Sequence, residues 1–121
     1  LDEIIRIIEN PFGRNLNGIS MLVCCAPDNG QLAIKLARHS ARVVLITGNR
    51  EEYDNATERQ PQALNMEIIH TDIEKWIATN RHFHFDMTIS FDTQLETLPN
   101  EPGGRHIELN YGNNSYTLTQ R

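Results

Sequence analysis

Apolar positions along the chain alternate between strand-type runs and helix-type spacing. Short runs of apolar and β-branched residues predict buried strands at residues 20–25, 42–46, 66–70 and 85–91. The segments between them place apolar residues three and four positions apart, as in helices packed on one side. Parallel strands need long, usually helical and right-handed, connections. The pattern therefore predicts an α/β fold with a parallel sheet of about four strands.

Four covering helices are predicted from apolar spacing and capping residues. The first occupies residues 1–10 and ends before Pro11, and the second runs from Asp28 to about Ser40. A third, largely polar helix follows Asn49, with Glu52 at the capping-box position. The fourth helix follows Thr71, which we expect to cap it with Glu74 as the capping-box partner; the apolar residues of this helix are Ile73, Trp76 and Ile77.

The C-terminal part of the chain has a different pattern. Residues 98–104 predict a loop, and alternation then predicts an antiparallel β-hairpin that turns at residues 112–114. One face of this hairpin is polar, and its exposed edge is a candidate docking strand for a protein partner. The residues of that face are Glu108, Asn110, Ser115, Thr117 and Thr119.

Composition narrows the class of protein. The chain has 121 residues, 39% of them hydrophobic, and a formal net charge of -5, which is typical of one globular domain over residues 1–121. No apolar run approaches the ~18 residues that a membrane span requires. Scattered Lys and Arg argue against a broad nucleic-acid footprint, although a local basic patch stays open. We expect no signal peptide, and the absence of an initial Met suggests a piece of a larger protein.

Cysteine and histidine usage favours neither disulfides nor metals. Cys24 and Cys25 are adjacent in a predicted strand and point to opposite faces, which fits a reducing, cytoplasmic protein. Cys25 is a poor phosphocysteine candidate, because the residues after it supply an anion rather than Arg or hydroxyl donors. His82 and His84 lack partners at ligand spacing, so we expect no metal site.

The loop after the first strand is the expected ligand crevice, because helix N–H groups there are unpaired. The order of elements, with Gly30 closing this loop, resembles the class I S-adenosylmethionine-dependent methyltransferases, and the resemblance implies a three-layer Rossmann-like fold. In that family the first strand ends in an acid followed by Gly-x-Gly-x-Gly. This chain has Cys24 in place of the acid, and Ala26, Asp28 and Gly30 in place of the three glycines.

The resemblance also implies positions for the rest of a cofactor site. The family's carboxylate for the ribose hydroxyls is replaced by Thr47, and the apolar residue under the adenine is replaced by Gly48. Asp72 matches the acid that receives the adenine amino group. The sequence after residue 89 is Ser-Phe-Asp-Thr, without the prolyl motif of amino-methylating members. The candidate cofactor-binding residues are therefore Asp28, Gly30, Thr47 and Asp72, and no catalytic residue is predicted.

Asp28 and Asp72 also have a simpler interpretation, because acids at helix starts are favoured by capping and by the helix dipole. The negative charge of Asp28 disfavours NAD or FAD. Tyr53, in the helix after Asn49, could cover an adenine, but an aromatic at such a place is more often a core residue. The first hypothesis is a degenerate, non-catalytic binding or scaffolding module with a protein partner and no cofactor. The alternatives are an active small methyltransferase that uses S-adenosylmethionine and a degenerate receiver-like signalling domain.

Overall fold

One mixed sheet forms the centre of the protein. The computed structural model describes residues 5, 6, 8, 16–24, 29–59, 65–80 and 85–91, and the backbone of residues 100–112 and 115–120. The described strands are β1 (Ser20–Cys24), β2 (Arg42–Thr47), β3 (Met66–His70), β4 (Phe85–Phe91), β5 (Asn100–Gly112) and β6 (Ser115–Gln120). The described helices that we number are α1 (Gln31–Ala37), α2 (Arg50–Arg59) and α3 (Ile73–Thr79).

The strand order is β3-β2-β1-β4-β5-β6. Strands β1 to β5 run parallel, and β6 is antiparallel to β5. The predicted parallel sheet and terminal hairpin are confirmed, and the first hairpin strand continues the parallel set beside β4. The turn residues Asn113 and Asn114 lie outside the described residues.

Helices cover both faces of the sheet. On one face, α1 and Ala56 of α2 pack against alternating strand residues such as Val23 and Leu45, in one buried cluster. On the other face, Ile73 and Ile77 of α3 pack against strand residues that include Leu22. This arrangement gives the predicted three layers, and it follows from side chains that alternate between the two faces of each strand.

The first predicted helix is described at only three positions. Residues 5, 6 and 8 are helical, and Ile5 and Ile8 are buried in the same cluster as α1. Their burial supports a covering helix at that face. Leu1 and Ile4, which the prediction placed on the same apolar face, lie outside the described residues.

The predicted loop at residues 98–104 is partly wrong. Strand β5 already begins at Asn100, which pairs with Phe85, and the next paired residues are Met87 and Arg105. Asp86 alone therefore stands opposite residues 101–104, so the strand bulges there. A bulge accommodates a proline that has no N–H to donate, and residue 102 is a proline.

Candidate functional site

The carboxyl ends of β1, β2 and β3 lie side by side at one edge of the sheet. In register, Cys24 stands beside Ile46, and Thr47 stands beside His70. In open α/β sheets, this edge and the loops that leave it form the usual ligand crevice. The structure therefore brings Gly30, Thr47 and Asp72 to the loops of one edge, whereas Asp28 lies outside the described residues.

The loop between β1 and α1 ends in two residues with left-handed backbone. Asn29 has φ 59°, and Gly30 has φ 81° and is the N-cap residue of α1. Gly30 has no side chain with which to cap the helix. The N-cap of α1 therefore lies two residues after Asp28, the acid that we expected to cap it, and the helix itself begins at Gln31.

Glycine is required at position 30 for two separate reasons. Positive φ is costly for residues that carry a Cβ atom. In addition, a Cβ atom at this position would lie 2.7 Å from the Ala56 Cβ and 3.2 Å from the Ala56 Cα. The close approach of α2 to this turn therefore explains why the position of the family's third glycine is kept.

Helix α2 also holds the loop through two polar side chains. The Asn29 backbone N–H donates to Glu52 Oε2 at 2.6 Å, and Asn55 Nδ2 donates to Asn29 Oδ1 at 3.0 Å. The sequence pattern predicts Glu52 only as a capping-box residue. Its predicted partner, the Asn49 N–H, donates to Thr47 Oγ1 at 3.1 Å. Asn49 itself does cap α2, because its Oδ1 accepts from the Glu52 N–H at 3.0 Å.

Thr47 lies at the position where the family that the sequence resembles has a carboxylate for the ribose. Its side chain is buried, with 3% of the residue exposed, and its hydroxyl oxygen accepts the Asn49 N–H noted above. Its carbonyl oxygen accepts from the Thr71 N–H at 3.0 Å. The structure thus uses Thr47 to shape the turn from β2 into α2.

Beside this turn, an aromatic pair lies at the outer edge of the sheet. The rings of Tyr53 and His70 are 5.5 Å apart between centroids, and His70 Nε2 is 3.3 Å from the Gly48 carbonyl oxygen. The Arg50 guanidinium lies 5.7 Å from the Tyr53 ring centroid. Tyr53 is only half-buried, so its interpretation as a core aromatic is corrected to an edge position.

Asp72 is the N-cap residue of α3, and its Oδ1 accepts from the Lys75 N–H at 3.0 Å. The expected cap, Thr71, is one residue too early. The Thr71 N–H extends the pairing between β2 and β3 by donating to Thr47, so the chain is still extended at that point. Asp72 is exposed and is itself the cap, whereas the sequence pattern predicted it in the first turn of a helix capped by Thr71.

The end of β1 is apolar in character. Cys24 is a fully buried cysteine, and its register neighbour in β4 is the buried Ser90. The structure therefore places no carboxylate at the position of the family's first acid. Cys25, His82 and His84 lie outside the described residues.

The described residues contain neither a cluster of metal-ligating side chains nor a helix that could span a membrane. Across these segments, no group of three or more His, Cys, Asp and Glu side chains is placed to hold a metal ion. Within the same part of the chain, every helix is too short or too polar to cross a bilayer.

Comparison with known proteins identifies the fold. No family model and no curated protein matches the chain. A precorrin-8w decarboxylase from Methanobacterium thermoautotrophicum aligns at 18% identity and a TM-score of 0.68, over 88% of this chain and 61% of that one. A methyltransferase from Thiobacillus denitrificans in complex with S-adenosylhomocysteine aligns at 16% identity and 0.69, over 90% of this chain and 48% of that one.

An rRNA methylase from Streptococcus thermophilus is also similar, at 18% identity and a TM-score of 0.66, over 91% of this chain and 72% of that one. These similarities show that the chain has the Rossmann-like fold of class I S-adenosylmethionine-dependent methyltransferases. The chain spans about half to three-fifths of the length of the first two structures.

Proposed function

We propose that this chain is a methyltransferase-fold module that does not catalyse methyl transfer and that acts as a binding or scaffolding part of a larger protein or complex. One observation carries the proposal: polar groups at the candidate cofactor edge are engaged in holding the fold together. Glu52 accepts the Asn29 N–H of the first loop, and Thr47 accepts the Asn49 N–H of the second.

The residues at this edge fit S-adenosylmethionine poorly. The buried Thr47 hydroxyl is a single acceptor where a carboxylate would accept from both ribose hydroxyls, and Gly48 offers no apolar side chain to the adenine. Each ribose hydroxyl that is left without a hydrogen-bond partner would cost about 1–3 kcal/mol of binding free energy. We therefore propose no cofactor for this chain and derive no chemical step through one.

A titration with S-adenosylhomocysteine tests this proposal directly at the site. The amide signals of Gly30, Asn49 and Lys75 report on the three loops in a ¹H–¹⁵N NMR spectrum. The proposal expects no saturable shift of these signals up to about 1 mM ligand, which corresponds to a binding free energy weaker than about -4 kcal/mol. Saturable shifts at all three loops with a micromolar Kd would overturn it.

The alternative of an active, small methyltransferase is favoured by one observation. Asp72 caps α3 through Oδ1 while the residue is exposed, so a second carboxylate oxygen is available to an adenine amino group. Under this alternative, Asp72→Asn would keep an oxygen for the cap but would weaken S-adenosylhomocysteine binding, because an amide has only one oxygen. Under the first proposal the two proteins behave alike, with no binding to lose.

The receiver-like alternative is wrong on topology. Receiver domains have the flavodoxin-like strand order 2-1-3-4-5, in which the first strand lies between the second and the third. Here β1 lies between β2 and β4. The docking strand at the terminal hairpin stays a prediction for the proposed interaction role.

A further inference from the structure

Positive charge is concentrated in one segment of an acidic chain. Residues 29–50 contain four of the 11 Lys and Arg residues and none of the 16 Asp and Glu residues, whereas the chain as a whole carries a formal charge of -5. This segment runs from the turn before α1 through β2 to Arg50, the first residue of α2. A local basic surface is therefore built into the sequence around α1, although the protein as a whole repels anions.

Two of these cations line a groove between α1 and the end of α2. We define the basic groove as a cavity of about 190 Å³ lined by Gln31, Ile34, Lys35, Arg38 and Arg59. Gln31, Lys35 and Arg38 share one face of α1 because they are spaced by four and three residues. Ile34, with 6% of its surface exposed, adds an apolar wall. Arg59, the last residue of α2, brings a third cation to the same cavity.

Contacts at both ends of α1 hold the helix in place beside this groove. At its start, the Gly30 turn packs against Ala56 and is bonded to Asn55 through Asn29. At its end, Asn65 Nδ2 donates to the Ala37 carbonyl oxygen at 2.7 Å and to the Ser40 carbonyl oxygen at 2.9 Å. The backbone that presents the cations is therefore fixed before any ligand arrives, which lowers the entropic cost of binding.

The cationic end of the groove lies away from the candidate cofactor edge. Helix α1 starts after the carboxyl end of β1 and runs back along the sheet, so Arg38 lies near the amino ends of the strands. The bonds from the Ala41 N–H to Ile19 and from the Val43 N–H to Asn65 join these amino ends to one another. A ligand in the basic groove would therefore be separate from anything bound beside Thr47 or Asp72.

We propose that the basic groove binds a phosphate group. The groove is lined by hydrogen-bond donors: the guanidinium groups of Arg38 and Arg59, the ammonium group of Lys35 and the amide of Gln31. A guanidinium group can donate two parallel hydrogen bonds to two oxygens of one phosphate. The cavity is smaller than the ~300–1,000 Å³ typical of sites for whole organic ligands, so it suits one compact anion. The phosphate belongs either to a small phosphorylated molecule or to the backbone of a single-stranded nucleic acid. This site extends the proposed binding role and does not depend on whether the cofactor edge is active.

A titration with pyrophosphate and with a short single-stranded RNA of about eight nucleotides tests this site. The 121-residue chain is titrated at low salt, and the Arg Nε–H and Lys35 signals are followed by NMR. The variant Arg38→Gln/Arg59→Gln is compared with Arg42→Gln/Arg50→Gln, which removes the same charge outside the groove. We expect the first variant to weaken binding at least about tenfold and the second less than about threefold.

The outcomes of this titration either overturn the proposal or identify the source of the phosphate. If RNA binds more than about tenfold tighter than pyrophosphate, and if Arg38→Gln/Arg59→Gln weakens that binding, the phosphate belongs to a nucleic-acid backbone. Similar affinities assign it to a small phosphorylated molecule. Lys35 and Arg59 also lie in last helical turns, where cations offset the helix dipole. If neither probe binds the wild-type chain, or if both variants lose binding equally, the cations serve only this structural role and the proposal is overturned.

Discussion

Gly30 and Ala56 approach so closely that no side chain fits between them: a Cβ atom on Gly30 would lie 2.7 Å from the Ala56 Cβ. This contact joins the loop after β1 to helix α2. It fixes the start of α1, and with it the geometry of both the candidate cofactor edge and the basic groove. Packing between the turn before α1 and helix α2 therefore restricts position 30 to glycine.

Replacing Gly30 with Ala is expected to lower the free energy of unfolding by about 2–4 kcal/mol. Positive φ accounts for about 1–2 kcal/mol and the overlap with Ala56 for the rest. Urea denaturation measures the loss. Gly18→Ala is the matched control, because Gly18 has φ +80° but nothing within 4 Å of the added Cβ atom. Equal losses in the two variants would show that the Ala56 contact is unimportant.

Glu52→Ala is expected to destabilise the protein by about 1–3 kcal/mol, because the part-buried Asn29 N–H loses its acceptor. Hydrogen exchange at the Asn29 amide should become faster. Glu51→Ala is a close control, since both acids lie in the first turn of α2 and Glu51 is exposed. If the two variants had the same effect, the stabilisation would come from the helix dipole and the contact with Asn29 would contribute nothing.

Asp72→Ala should cost about 0.5–2 kcal/mol because α3 loses its cap, whereas Asp72→Ser should recover most of that stability. Thr71→Ala tests the corrected position of the cap, and we expect a change of less than about 0.5 kcal/mol. Thermal unfolding of the three variants provides the comparison. A larger loss in Thr71→Ala than in Asp72→Ala would contradict the observed cap.

Asn65→Ala is expected to cost about 1–3 kcal/mol, because the Ala37 and Ser40 carbonyl oxygens lose their donor. Asn65→Asp should be at least as destabilising, since a carboxylate cannot donate. Asn80 makes a single local bond, from Nδ2 to the Trp76 carbonyl oxygen, so Asn80→Ala is the control with a smaller loss. If urea denaturation showed a larger loss of unfolding free energy in Asn80→Ala than in Asn65→Ala, the bridging role of Asn65 would be contradicted.

Strands β1 to β4 could be predicted because each is a short, largely apolar run whose alternate side chains face two helix layers, as for Val23 and Leu22. The position of Gly30 could also be predicted from the strand, loop and helix pattern. In contrast, the bond between Asn29 and Glu52 joins residues 23 positions apart, and it depends on how α2 packs against the loop. No local sequence pattern contains that information.

Two predictions, the cap at Thr71 and the loop at residues 98–104, were wrong for the same reason. In both places a local sequence pattern favoured one structure, but hydrogen bonding between strands imposed another. The capping-box pattern favoured Thr71, but the Thr71 N–H is used by the strand pairing with Thr47, so the helix starts later. Turn-forming residues 101–104 favoured a loop, but β5 pairs with β4 on both sides of them. In both places a tertiary hydrogen-bond ladder decides the structure.

The most direct test of the central claim is thermal unfolding of the chain with and without S-adenosylhomocysteine at about 1 mM. A module without a cofactor site should show the same Tm in both samples, to within about 1 °C. A ligand at 100 times its Kd would add about 2.7 kcal/mol and raise the Tm of a domain of this size by roughly 10 °C. Such a rise would contradict a module without a cofactor site and would favour the active methyltransferase.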